Sequence, residues 1–264
     1  MPAAPNEPVL LRRDDGPVAI LTLNRPHAMN ALSGELIDAL QSEFDRIGRD
    51  KSIRCVILEA KGRAFSTGHD LREVDANRDY GFHHDLLTRC SAMMLSINRL
   101  PQPVIAKVQA VATAAGCQLV AACDLAVAST SATFATSGIT NGLFCGTPSV
   151  SVGRNVGKKR ALDMLFTGQF IDADAALRDG LVSRVASPDK LDTETMALAT
   201  AIAAQPPQQI ASGKAMFHKH MEMNLPEAYA FATEFMAGAM QREDARAGID
   251  AFVNKKPKPG WKGR

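Results

Sequence analysis

Four short apolar runs punctuate the first half of the chain: Val18–Leu23 (VAILTL), Cys55–Ala60 (CVILEA), Val104–Val108 (VIAKV) and Leu125–Ser129 (LAVAS). Runs of this length, bounded by polar or Gly/Pro segments, predict buried strands. Asn24-Arg25-Pro26 breaks the first of them. Ser33 then offers an N-cap, and Leu36, Ile37, Leu40, Phe44 and Ile47 follow at helical spacing. Strands alternating with helices predict stacked β-β-α or β-α units, largely parallel. After Arg160 the pattern changes. Residues 160–182, 191–204, 207–223, 226–241 and 242–253 predict helices, with Gly180 and Pro206-Pro207 as punctuation and only a short strand near Val182–Val185. The expected organisation is an α/β core over residues 1–190 and a helical C-terminal region over 191–264.

The composition excludes some classes. Of 264 residues, 46% are apolar and 22% charged, ordinary for a soluble globular chain with a sizeable core. A formal net charge of +2 gives no field for nucleic acid or an anionic bilayer. The basic tail Lys255, Lys256, Lys258, Lys262 and Arg264 suits either a phosphate or a solvated terminus. The cysteines, Cys55, Cys90, Cys117, Cys123 and Cys145, are odd in number and form no CxxC pair. That predicts free thiols in a reducing compartment, with neither a disulfide framework nor a metal site. Met1 to Val9 lacks a basic-then-apolar signal, and no run of about 18 apolar residues occurs. The expectation is a cytoplasmic protein that does not cross a membrane.

Two segments crowd small residues where a strand ends: Ala64-Phe65-Ser66-Thr67-Gly68-His69-Asp70 and Ala112-Thr113-Ala114-Ala115-Gly116-Cys117-Gln118. Small residues let a backbone approach a ligand closely. Unpaired N–H groups at a helix start sit at the positive end of its dipole. Two of them converging on one oxygen make an oxyanion hole. Tight strand–helix packing explains the same run of Ala and Gly equally well.

The motifs then acquire a specific resemblance. Asn24-Arg25-Pro26 with Asn30-Ala31-Leu32, Phe65-x-x-Gly68-x-Asp70-Leu71, Pro103-Val104-Ile105-Ala106, Ala115-Gly116-Cys117-Gln118-Leu119 with Cys123-Asp124, and Phe166-Thr167-Gly168 followed by Gly180-Leu181-Val182 stand in the order found in the crotonase (enoyl-CoA hydratase/isomerase) family. The chain most resembles a divergent subgroup of enoyl-CoA hydratase-domain-containing proteins.

The resemblance implies an α/β crotonase spiral of β-β-α units with a helical C-terminal trimerisation region, assembled as a homotrimer or homohexamer. It implies an acyl-CoA thioester as substrate, with no further cofactor. The thioester carbonyl would sit between the N–H groups of His69 and Ala115. Coenzyme A would lie along His27, Ala28 and Met29 and the segment Ala64, Phe65 and Gly68, its phosphates meeting basic residues such as Lys255–Lys258 of its own or a neighbouring subunit.

The chain also departs from the family. Gln118 and Gly138 occupy the positions of the two hydratase glutamates. An amide accepts no proton near neutral pH, and glycine has no side chain. General acid–base catalysis contributes about 10²–10⁴-fold, so ordinary hydration and isomerisation are both in doubt. His69 offers a near-neutral titrating group or a packing side chain. Cys145 offers a nucleophile or a buried thiol. Ser137 and Asn141 are candidates to hold substrate or an anion in space left by Gly138. Asp70 and Asp124 are expected to cap local structure. His83, His84, His218 and His220 read as surface histidines. Met93, Met94, Phe231 and Phe235 read as core or acyl-pocket wall. A Gln118→Glu, Gly138→Glu double variant is expected to gain hydratase rate if the missing acids alone explain the loss. Three functions stay open: an atypical lyase or isomerase on acyl-CoA, a non-catalytic acyl-CoA-binding or regulatory protein, and a partner-binding oligomer without ligand.

Overall fold

The computed structural model of the chain describes residues 7–263. The N-terminal start, Met1–Asn6, and Arg264 of the basic tail lie outside the described residues.

Strands β1 (Leu10–Asp15) and β2 (Val18–Leu23) form an antiparallel hairpin. Helix α1 (Gly34–Arg49) is capped by Ser33, whose hydroxyl accepts from the Leu36 N–H at 3.3 Å. Its apolar stripe of Leu36, Ile37, Leu40, Phe44 and Ile47 is buried. Strand β3 (Cys55–Ala60) pairs parallel to β2 and leads into the three-residue β4 (Ala64–Ser66), followed by α2 (Leu71–Ala76) and α3 (Tyr80–Arg99). The same sequence of elements recurs. β5 (Val104–Val108) is followed by β6 (Val111–Thr113) and α4 (Ala115–Ala122). β7 (Leu125–Ser129) is followed by β8 (Thr133–Ala135), a 3₁₀ turn over Ser137–Asn141, α5 (Gly146–Asn155) and α6 (Lys158–Thr167). Each turn places its long strand in one sheet and its short strand in a second, which makes a β-β-α spiral.

The first sheet runs β1-β2-β3-β5-β7-β10 and the second β4-β6-β8-β9. The last strands are β9 (Ile171–Asp172) and, after α7 (Ala173–Arg178), β10 (Arg184–Ala186). All pairs are parallel except β1–β2 and β8–β9. Alternation along the strands splits the core. Ala19, Leu21, Leu23, Val56 and Leu58 join the main cluster with α1, α3 and α4. Val18, Ile20, Cys55, Ile57, Ile105 and Val127 face the other way and are covered by Leu191, Leu198 and Ala199 of α8 (Leu191–Ala203). Helices α9 (Pro207–His220), α10 (Leu225–Met240) and α11 (Glu243–Val253) complete the chain.

Three sequence expectations change. The helix expected over 160–182 is interrupted, because Gly168 adopts φ +65° and ends α6, and the chain then pairs as β9 before α7 begins. The short strand expected at Val182–Val185 is β10, shifted to Arg184–Ala186. The small-residue segments, read from sequence as strand-to-helix loops, themselves contribute β4 and β6.

Candidate active site

Because β4 and β6 pair in parallel, the segments that follow them leave the second sheet side by side. Their backbones touch. A Cβ placed on Gly116 would lie 2.2 Å from the Ser66 carbonyl oxygen. One on Gly68, which sits at φ +90°, would lie 2.9 Å from the Ala114 Cβ and 3.1 Å from the Ala115 nitrogen. Only glycine permits either approach.

This contact brings His69 and Ala115 together through their main chains. Leu32 forms a parallel bridge to His69: the Leu32 N–H donates to Gly68 O at 2.7 Å, and the Asp70 N–H donates to Leu32 O at 3.2 Å. In a parallel bridge the residue between those two bonds points its own N–H and C=O the other way. The His69 N–H is therefore not used by the bridge. Ala115 is the first residue of α4, so its N–H has no acceptor within the helix and lies at the positive end of the dipole. Ahead of it, Ala114 is held at φ 52°, ψ −123°, a conformation unfavourable for a residue with a Cβ. The Ala114 N–H donates to Ala135 O, and Ala114 O accepts from the Gln118 N–H, both at 3.0 Å.

The His69 side chain carries an unusual feature. Both ring nitrogens are buried and neither has a hydrogen-bond partner. Burial pushes the imidazole below its ordinary range; the Leu32 carbonyl and the Glu73 charge oppose this. Neither completes a hydrogen bond to the ring. Gln118, on the first turn of α4, is 3% exposed and its Oε1 is likewise buried without a donor.

The expectation that Gly138 leaves space for a bound ion is not met, because the volume a side chain would enter there is already filled. A Cβ there would meet Leu143 O at 2.6 Å and Cys145 Sγ at 2.7 Å. The Gly138 N–H donates to Cys145 Sγ at 3.3 Å. Burial raises the Cys145 pKa, against the Gly138 hydrogen bond, so the group rests as a thiol at neutral pH. Ser137 is engaged with the Thr113 hydroxyl at 2.7 Å, while the Thr136 hydroxyl is buried without a partner. Asn141 is exposed at the end of the 3₁₀ turn.

His27 is exposed, Ala28 and Met29 are half-buried, and all three sit in a short 3₁₀ turn and its cap, with Met29 at φ 53°. Asn30 fixes this turn against the first small-residue segment. Its Oδ1 accepts from the Arg25 N–H at 2.9 Å, and its Nδ2 donates to the Lys61 and Ala64 carbonyls at 2.8 Å each. Phe65 is fully buried in the core, so only its main chain is available to a ligand. Sequence reasoning singled out neither Asn30 nor Ala114 as functional. Asn30 stood in a quoted motif, but its carbonyl partners lie about thirty residues away and become visible only after folding.

Asp70 does cap α2, accepting from the Arg72 N–H at 3.2 Å, and pairs with Arg25 at 2.9 Å. Asp124 is not a cap. It accepts from the Val104 N–H at 2.7 Å and from Lys214 Nζ at 2.6 Å, tying α9 to the start of β5, with His218 3.5 Å away. Met93 and Met94 are core, while Phe231 and Phe235 are partly buried on α10 beneath Lys219 and Arg242.

Among the described residues, the basic tail is not brought to these loops within one chain. Lys262 and Gly263 line a cleft with Ile53, Pro101 and Gln102, where β3 and β5 begin, whereas the two segments lie beyond the ends of those strands. A separate cleft of about 620 Å³ opens beside α9 at the C-terminal end of α4, and none of the sequence-predicted site residues lines it. Among the described residues no group of three or more His, Cys, Asp or Glu side chains is placed to hold a metal, and no helix is long and apolar enough to cross a membrane.

Comparison with known proteins agrees with the fold. A structure of human enoyl coenzyme A hydratase domain-containing protein 3 superposes with a TM-score of 0.92 at 39% identity, covering 95% of this chain and 99% of that one. A Mycobacterium smegmatis enoyl-CoA hydratase structure gives 0.94 at 49% identity, covering 96% and 99%. In sequence, the mitochondrial enoyl-CoA hydratase domain-containing protein 3 of Mus musculus is 41% identical over 250 residues, 95% of this chain and 83% of the relative. These relatives correct the expectation of a cytoplasmic protein: the mouse, rat and human proteins are all named as mitochondrial. Composition and free cysteines could not make that distinction, since a reducing interior is common to both compartments. The family model for enoyl-CoA hydratase/isomerase matches residues 13–264, and the chain belongs to that family.

Proposed function

We propose that the chain binds an acyl-CoA thioester and polarises its carbonyl between the N–H groups of His69 and Ala115. The observation that carries this reading is the backbone contact of the two small-residue segments, with Gly68 against Ala115 and Gly116 against Ser66. It sets side by side two segments, one with an N–H unused by its bridge and one with an N–H at a helix start, which supports the reading. Fixed donors of this kind stabilise an enolate-like oxygen in a dry site. The strained Ala114 is consistent with that role, because strain of this kind concentrates where function over-determines the backbone. Coenzyme A is then substrate, with no additional cofactor, and its chain runs past His27, Ala28, Met29, Ala64, Phe65 and Gly68. Asn141 and Gly138 border the acyl end.

Hydration by two carboxylates is not part of this function. Gln118 replaces the first acid, and main chain and thiol fill the volume at the second. The nearby Asp70 is committed to Arg25. The same observation favours a second reading, an acyl-CoA-binding protein without turnover. The core up to residue 190 carries the thioester site in either case. The helices of 191–264 serve assembly into a homotrimer or homohexamer, supported by exposed Phe217, Met221, Leu225, Tyr229, Met240 and Phe252.

Crotonyl-CoA tests both readings, by calorimetry for binding and by loss of the enoyl thioester absorbance for turnover. Binding with slow or absent hydration is expected. No binding of any acyl-CoA would overturn the thioester site, and fast hydration would show that another group replaces both acids.

A further inference from the structure

Helix α11 is held less by its own packing than by the chain that follows it. Of its eleven residues only Asp244 and Ala251 are buried, while Ile249, Phe252 and Val253 are exposed. None of them belongs to either core cluster. A helix this short is marginal unless tertiary contacts fix it. Here the tail supplies them. The Asp244 carboxylate accepts from the Lys262 N–H on Oδ1 and from the Gly263 N–H on Oδ2, both at 2.8 Å. Bonds to an ionised acceptor are stronger than neutral ones. Trp261 is wedged between α11 and the body. Its ring lies against Gly248, where an added Cβ would be 3.4 Å from Cη2. Its Nε1 donates at 3.0 Å to the carbonyl of Ala204, the C-cap of α8. Gly263 reaches the start of α9, where its added Cβ would lie 3.3 Å from Pro207 Cγ. Helix α10 is different, because it is tied to α9 directly: Arg242 Nη1 donates to Ser212 Oγ at 2.6 Å, and Gln209 Nε2 to Ala239 O at 3.4 Å.

We propose that Trp261–Gly263 form a latch and that α11 is a detachable arm. With the latch closed, Asp244 and the indole hold α11 to the α8–α9 junction. With it open, α11 swings on the turn at Gln241–Arg242 while the α/β body and the α9–α10 pair stay folded. Opening uncovers one carboxylate and a half-buried indole but no core side chain, and elements with few buried apolar contacts open at the lowest free energy. No residue of the thioester site takes part, so the inference stands or falls independently of that reading.

Trp261 is the single tryptophan of the chain, so its emission reports the latch directly. The test combines that fluorescence with amide hydrogen exchange on the full-length protein. In the wild type, urea is expected to shift the emission to longer wavelength and to expose the α11 amides at concentrations that leave the amides of β2, β3 and β5 protected. In Asp244→Ala the α11 amides are expected to exchange at least about tenfold faster, with stronger acrylamide quenching of Trp261, while the strand amides stay within about twofold of wild type. Asp244→Asn keeps one acceptor oxygen and should lie between. Unchanged α11 exchange in Asp244→Ala, an equal acceleration of the strands, or α11 and the strands opening together in wild-type protein would each overturn the latch. If Asp244→Ala does not fold, the wild-type urea series and Asp244→Asn decide the matter.

Discussion

Restoring a glutamate at residue 138 looks, from sequence alone, like the direct way to recover hydratase chemistry. The structure predicts that it damages the protein before it can help. Gly138 is not at positive φ, so the obstacle is volume. Even the Cβ of Gly138→Ala would come within 2.6 Å of Leu143 O and 2.7 Å of Cys145 Sγ. One of these is main chain, and the Leu143 N–H in turn donates to Gly138 O at 3.0 Å, so moving that carbonyl strains the turn's own hydrogen bond. Overpacking of this kind costs about 1–3 kcal/mol, and loss of the turn bond adds about 1 kcal/mol. Gly138→Ala is therefore expected to lose about 2–4 kcal/mol, and Gly138→Glu more. Urea unfolding measures this as a lower midpoint at unchanged m-value. Adding Cys145→Ala relieves the sulfur contact but not the carbonyl, and should recover only part of the loss. A Gly138→Ala protein within 0.5 kcal/mol of wild type, about the effect of a neutral surface change, would refute the steric argument. The Gln118→Glu, Gly138→Glu protein would then become a fair test of the missing acids.

Gly116→Ala places a Cβ 2.2 Å from Ser66 O and should cost at least about 3 kcal/mol, read as a large drop in Tm. Ala114→Gly releases a residue held at φ 52°. Relief of about 1–3 kcal/mol outweighs a glycine entropy cost of about 0.5–1 kcal/mol, so urea unfolding should show a gain, and a loss would argue against strain there. Lys214→Met leaves Asp124 and the carbonyls of Ile97 and Gln102 without their buried cation and should cost about 3–5 kcal/mol; adding Asp124→Leu should return part of it in a double-mutant cycle. The folded protein holds the His69 imidazole neutral more strongly than the unfolded chain does, so the unfolded chain takes up the proton first as pH falls. Stability from the neutral ring is complete above about pH 6.5 and declines below it. His69→Asn should flatten the dependence of unfolding free energy on pH between about 7 and 5, and parallel profiles would contradict the buried neutral ring.

The long strands of the first sheet could be read from the chain. Val18–Leu23, Cys55–Ala60, Val104–Val108 and Leu125–Ser129 are strands over those same residues, because aliphatic runs buried on both faces carry their own signal. Helix α1 was as legible, through Ser33 and its apolar stripe. The charged edge strand β1 was not, since half of Leu10–Asp15 is exposed and its pairing depends on β2. Three-residue strands such as β4, β6 and β8 are too short for any periodicity, and exist because the spiral brings them into register. The site divides in the same way. The residue types at positions 68, 69, 115, 116, 118 and 138, and their order, were in the sequence, and with them the resemblance and the two missing acids. Whether Gly138 left a void or was filled, whether the His69 ring found partners, and that Asp124 anchors Lys214 ninety residues away were decided only by tertiary packing. Each depends on distances between atoms far apart along the chain, and composition and spacing do not encode those distances.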